Sequence, residues 1–149
     1  MRWGILFLLS LAVLWPGWAQ ISRPKIKNFK FPERYESEGP NQTNRLKGLL
    51  MAAQGQYLSN DLVLLHTMQL EHYQPDGRTN MVARAPECFF DIESRVAFST
   101  GALEIVGLGG AFVVHGQRGF EVRMTNSTMT LSNRVRTVIR QDMINASRK

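Results

Sequence analysis

Along most of the chain, apolar residues recur at every second position in short runs, and Gly, Pro, Asn, Asp and Ser cluster between the runs. A period of two sends alternate side chains to opposite faces of a strand. In "NDLVLLHTMQLEHY" the alternation is expected to place Leu62, Leu64, Met68 and Leu70 on one face. "QPDGR" follows, with Pro75 early and Gly77 late, the composition of a tight turn. The next run, "TNMVARA", should therefore fold back as the second arm of a hairpin. "CFFDI", "RVAFS" and "ALEIV" read as further short strands. "FEVRMT" sets Phe120, Val122 and Met124 inward and Glu121, Arg123 and Thr125 outward. "TMTLS", with Met129 and Leu131, and "RVRTVIR" repeat the pattern. In the last run Val135, Thr137 and Ile139 should face in, and Arg134, Arg136 and Arg140 out. No helical periodicity precedes residue 136, and the polar tail over 141–149 reads as a short helix or a frayed end.

"GLGGAFVVHGQRGF", residues 107–120, invites a phosphate-loop reading. Such a loop must leave a strand and open a helix. Here the glycines follow "ALEIV", but the next stretch is β-branched and aromatic and is broken again by Gly116 and Gly119. No G-K-[ST] is present, so the glycines read as turns between strands.

The first residues change the cellular setting. Arg2, the apolar run from Ile5 to Leu14, the breakers Pro16 and Gly17, and the small Ala19 have the layout of a secretory signal over 1–19. The run is shorter than the ~20 residues that span a bilayer. Cleavage before Gln20 and retention as an anchor, with Trp15 and Trp18 at the interface, are both open readings. Residues 20–45 form a basic, Pro-containing, extended lead-in. The remaining chain, 46–140, is enough for one domain with a core. With Cys88 as the single cysteine, no intrachain disulfide can form. An exported chain without disulfides suits a bacterial periplasm. The net charge of +6 points to anionic lipid, glycan or phosphate as partners. No stacking-aromatic signature indicates nucleic acid.

Side-chain chemistry narrows the function classes further. His66 and His72 lie six residues apart, roughly 20 Å along one strand, too far to share a metal. His115 stands alone, so neither a metal nor another cofactor is expected. Cys88 sits in an apolar strand with nothing to lower its pKa. No G-x-S-x-G elbow or carboxylate pair is readable, so an enzyme is not expected. Met51, Met68, Met81, Met124 and Met129 either fill core gaps or form a lining that accepts flexible chains. The Arg134, Arg136 and Arg140 row is a solvated face, protection for an open strand edge, or a contact for anionic headgroups. A faint repeat, Ala53-x-x-x-Tyr57, Ala85-x-x-x-Phe89 and Gly116-x-x-x-Phe120, recurs at spacings of 32 and 31 and fits stacked β-units, each aromatic plugging the core.

The order and spacing of one set of features resembles a known family. Tyr73 ends a strand, Asp76-Gly77-Arg78 forms a turn, and Ala83 and Ala85 precede Phe90-Asp91. Gly116 to Phe120 opens the next strand, and Leu131 to Ile139 closes the set. Over residues 46–140 this is similar to the periplasmic lipopolysaccharide-export proteins, the LptA, LptC and OstA group. The resemblance implies an all-β, open β-jelly-roll with an apolar interior through which acyl chains of lipopolysaccharide pass. Leu62, Leu64, Met68, Leu70, Phe120, Val122, Met124, Met129 and Leu131 would then line that interior. Arg134, Val135, Arg136, Thr137 and Ile139 would form an edge for a neighbouring protein of the same export system, whose inner-membrane end is an ABC transporter complex. The competing reading is a secreted structural or adhesive β-module. Three N-x-[ST] triplets, at Asn41, Asn126 and Asn145, fit it.

Overall fold

The computed structural model describes residues 23–35 and 45–139. The signal segment, the polar tail, Arg140, and the triplets at Asn41 and Asn145 lie outside the described residues. The chain is all-β and antiparallel, as the alternation predicts. Its strands are β1 (Lys25–Arg34), β2 (Leu46–Tyr57), β3 (Leu62–Tyr73), β4 (Thr79–Asp91), β5 (Val96–Ser99), β6 (Leu103–Gly107), β7 (Phe112–Arg123) and β8 (Thr128–Ile139). Each strand pairs with its sequence neighbour, except that β5 and β6 form two halves of one lane between β4 and β7. The result is a continuous meander with β1 at one edge and β8 at the other.

The sheet curls until its first strand lies over its fourth. The Phe90 ring on β4 meets Phe31 at 4.9 Å and Phe29 at 6.2 Å, both edge-on. The two halves of this one sheet form two layers. Between them lies the core, which includes Leu50, Val63, Leu65, Met68, Phe90, Leu103 and Val122. The basic lead-in belongs to it: residues 25–34 are not an extended preface but a paired strand that contributes Phe29.

A crease crosses the first four strands. Ladder pairing skips Asn28 opposite Ala53, Ala53 opposite Thr67, and Thr67 opposite Pro86. Asn28 and Thr67 have positive φ, 54° and 55°. At this line the buried face changes parity. Val63 and Leu65 are buried before it on β3, and Met68 and Leu70 after it. On β4, Ala83 and Ala85 are buried before it, and Cys88 and Phe90 after it. The same line explains a proline inside a central strand. Pro86 has no N–H to give a ladder, and it occupies a position where the ladder is interrupted. "TNMVARA" and "CFFDI", expected as separate strands, are therefore one strand of 13 residues. "TMTLS" and "RVRTVIR" are likewise one strand, β8.

The glycine-rich stretch is punctuation and close packing. Gly107 ends β6, a 3-10 turn spans Leu108–Gly110, and β7 runs on through Gly116 and Gly119 without a break. The Phe112 ring lies on Gly107, where a Cβ would come within 1.9 Å of it. At Gly119 the φ of 82° requires the left-handed region inside the strand.

Candidate functional site

The inner face of the curled sheet brings together five of the nine expected lining residues as core. Met68, Leu70, Phe120, Val122 and Met124 are all at or below 5% exposure. Met129 and Leu131 are half-buried and pack against them. Leu62 and Leu64 are a correction. They sit half-exposed on the opposite face, because Thr67 shifts the parity of β3 and turns Val63 and Leu65 inward instead. Leu64 faces its register partner Phe89, which stacks on Phe98 at 5.6 Å. Phe89 is thus an outer-face aromatic, and Phe90 is the one that plugs the core.

The interior differs from end to end. At one end three polar contacts join the layers. Arg95 Nη1 donates to both carboxylate oxygens of Glu33, at 2.9 and 3.1 Å. Lys47 Nζ donates to the Thr125 carbonyl. His72 Nε2 meets Ser127 Oγ at 3.0 Å. Burial, with Lys47 beside it, pushes the His72 pKa below its ordinary value, and its buried Nδ1 has no partner. Behind these contacts the void lined by Leu70, Val122, Met124 and Met129 is only about 20 Å³. That is room for one water, not for an acyl chain.

The opposite end is open. Phe112 and Val114 of β7 are only half-buried there. Across from them on β8, Val135 is 50% and Ile139 61% exposed. These apolar side chains share the inner side of the sheet with buried Gly116 and with Val114. The expected inward set Val135, Thr137 and Ile139 does lie on that side, but it is uncovered.

Both sheet edges are single-sided. Among the described residues β8 pairs only with β7, and β1 only with β2, and no pairing joins β1 to β8. The β8 edge carries Arg134 and Arg136, both exposed, among Val135, Thr137 and Ile139. The β1 edge carries Lys25, Lys27 and Lys30. Each edge thus combines unpaired backbone with basic side chains, which discourage unspecific pairing.

The other candidate groups have separate surroundings. His66 Nδ1 lies 3.1 Å from Glu87, and His115 Nδ1 lies 3.6 Å from Glu104. The crease sends His66 and His72 to opposite faces. Among the described residues no three His, Cys, Asp or Glu side chains form a group that could hold a metal. Cys88 is fully buried, and desolvation, followed by the Glu87 charge, pushes its thiol up to about 12. Among the described residues no helix is long and apolar enough to cross a membrane.

Phe29, Val63, Leu65 and Phe90 complete the inner face without having been expected there. Phe29 was hidden by the basic composition around it. A positive φ at Thr67 has no signal in a sequence, so the β3 alternation alone could not reveal Val63 and Leu65. Compared with known proteins, the chain matches no protein-family model and no curated protein.

Proposed function

We propose that this is an exported, periplasmic lipid-binding protein of lipopolysaccharide transport, which takes acyl chains at the open end of its inner face and docks neighbours through its edge strands. The observation that carries this reading is the uncovered apolar mouth, Val135 at 50% and Ile139 at 61% exposure beside half-buried Phe112 and Val114. A folded chain rarely leaves such side chains on the inner side of a sheet unless something covers them. An acyl chain is a suitable cover. Each buried methylene is worth about 0.8 kcal/mol, so a dozen carbons gain roughly 10 kcal/mol before ordering costs. Affinity of this kind needs no polar motif. The basic surface, from a net charge of +6, suits the anionic head of such a lipid. Unpaired edges at β1 and β8 support end-to-end docking by strand addition.

A second reading, an interaction module that carries no lipid, is favoured by the tightly filled end of the interior, where the void is about 20 Å³. Binding of purified lipopolysaccharide separates the two. On the transport reading the protein retains labelled lipopolysaccharide through gel filtration. Val114→Asp and Val135→Asp, which place a carboxylate in the mouth, abolish retention, while Leu64→Asp on the outer face keeps it. Lipopolysaccharide that passes through unretained favours the interaction module, and retention untouched by both mouth variants would put the lipid somewhere other than the mouth.

A further inference from the structure

The outer face carries a second feature, a groove of about 670 Å³ that crosses β3, β4, β6, β7 and β8 beside the crease. Its floor is backbone, because Met68, Ala85 and Leu103 send their side chains inward and Gly116 has none. One wall is small and uncharged, formed by Thr67, Pro86, Ala102 and Gln117. The other wall is a single register row, Gln69, Arg84, Glu104, His115 and Arg136. Five strands at ~4.8 Å spacing make this row ~19 Å long.

The charges along the row are unevenly satisfied. Arg84 Nε donates to Gln69 Oε1 at 3.0 Å, and its Nη1 lies 3.8 Å from Glu104 Oε1. The other Glu104 oxygen faces His115 Nδ1 at 3.6 Å. Glu104 is therefore engaged from both sides. Arg136 ends the row, with no ion pair or hydrogen bond among the described residues. A guanidinium is a planar fork suited to two oxygens of one anion. The groove is of the size that takes small ligands, which fall between about 300 and 1,000 Å³.

From this arrangement we infer that the outer groove is a binding site for a single-chain anionic amphiphile, its carboxylate held by the Arg136 guanidinium and its apolar body lying along Ala102 and Pro86 toward Thr67. The site is on the opposite face from the mouth and does not depend on the transport reading. The uncharged wall excludes a polyanion along the whole length, and the charged end requires an acid at one terminus. At Thr67 a β-branched residue is held at φ 55°, a backbone state that costs energy and flanks the groove.

Decanoate is the probe, titrated into the ¹⁵N-labelled protein well below its micelle concentration, with 1-decanol and acetate as comparators. Decanoate is expected to bind saturably, with amide shifts centred on Ala102, His115 and Arg136. Decanol should lack the charge contact and acetate the apolar one, each binding at least tenfold more weakly. Arg136→Gln, at an exposed edge position, and Ala102→Glu, in the uncharged wall, should each weaken decanoate at least tenfold with the rest of the spectrum unchanged. Val114→Asp, which tests the mouth, should leave decanoate binding intact. Equal binding of decanol, shifts confined to Phe112, Val114 and Val135, or full affinity in both groove variants would overturn the assignment.

Discussion

Leu65 and Met68 stand three residues apart on one strand and are buried in the same interior, at 0% and 2% exposure. Strict alternation would put them on opposite faces. Thr67, at φ 55°, takes up the odd residue. Its neighbours Ala53 and Pro86 lie level with it in β2 and β4, where the ladder is also interrupted. The interruption is thus shared across the first four strands, and the buried face changes parity on β3 and β4 where it crosses them.

This parity shift makes a direct prediction. Leu65→Asp places a carboxylate in a fully buried site and should cost about 3 kcal/mol or more, enough to unfold a marginal domain. Leu64→Asp, one residue earlier and half-exposed, should cost less than about 1 kcal/mol. Urea unfolding of the two variants checks it, and the strict alternation predicts the reverse order.

A second prediction concerns the joined end. The Glu33 side chain is 8% exposed, whereas Arg95 is 47% exposed. Arg95→Met leaves a buried carboxylate unpaired and should destabilise by about 2 kcal/mol, the solvent on the arginine side keeping the loss below that of a fully buried pair. Adding Glu33→Gln to Arg95→Met should recover at least half, because the orphaned charge is then gone. Chemical denaturation of the single and double variants measures this coupling.

Much of the architecture was legible. The hairpin at Pro75-Asp76-Gly77 is present, with Gln74 N donating to the Arg78 carbonyl at 2.9 Å. Phe120, Val122 and Met124 are buried as the alternation of "FEVRMT" requires. The small residues of the faint repeat share a level in the sheet, but its aromatics do not all plug the core, since Phe89 lies on the outer face. Ala53 lies on the crease and Ala85 one residue from it, on successive descending strands, with Gly116 on the next at nearly the same height. What composition could not reveal was long-range. Phe29 meets Phe90 only because the sheet curls, and a basic segment with two prolines gives no local hint that it pairs with β2. The groove was invisible for the same reason, since Arg84, Glu104, His115 and Arg136 become neighbours only through register.

Alkaline pH should weaken the fold through Cys88. Its folded pKa of about 12 lies above the ordinary 9.0, so the unfolded chain releases its proton first. The stabilisation is therefore full below pH 9.0 and is lost as pH rises toward about 12. The slope should approach about 1.4 kcal/mol per pH unit in that window. Tyr73, also raised to about 12, acts over the narrower window from 10.0 upward. Comparing unfolding of the native protein and Cys88→Ala across this range isolates the thiol.

Acid should act through His72. Its folded pKa lies below the ordinary 6.5, so the unfolded state binds the proton more readily. Stability from this group is present above 6.5 and declines as pH falls through that value toward the folded pKa. His72→Gln, which can still reach Ser127, should flatten the acid limb of the stability profile. An unchanged limb would assign the acid sensitivity to carboxylates instead.

The most direct test of the central claim is photo-crosslinking from inside the mouth, in the native host. A benzophenone amino acid at Val135, on the inner side of the β8 edge, should give an adduct that contains lipopolysaccharide. The same residue at Arg118, exposed on the outer face of β7, should give none. Adducts of equal yield from both positions, or protein adducts alone from Val135, would contradict lipid transport and leave β8 as a docking edge only.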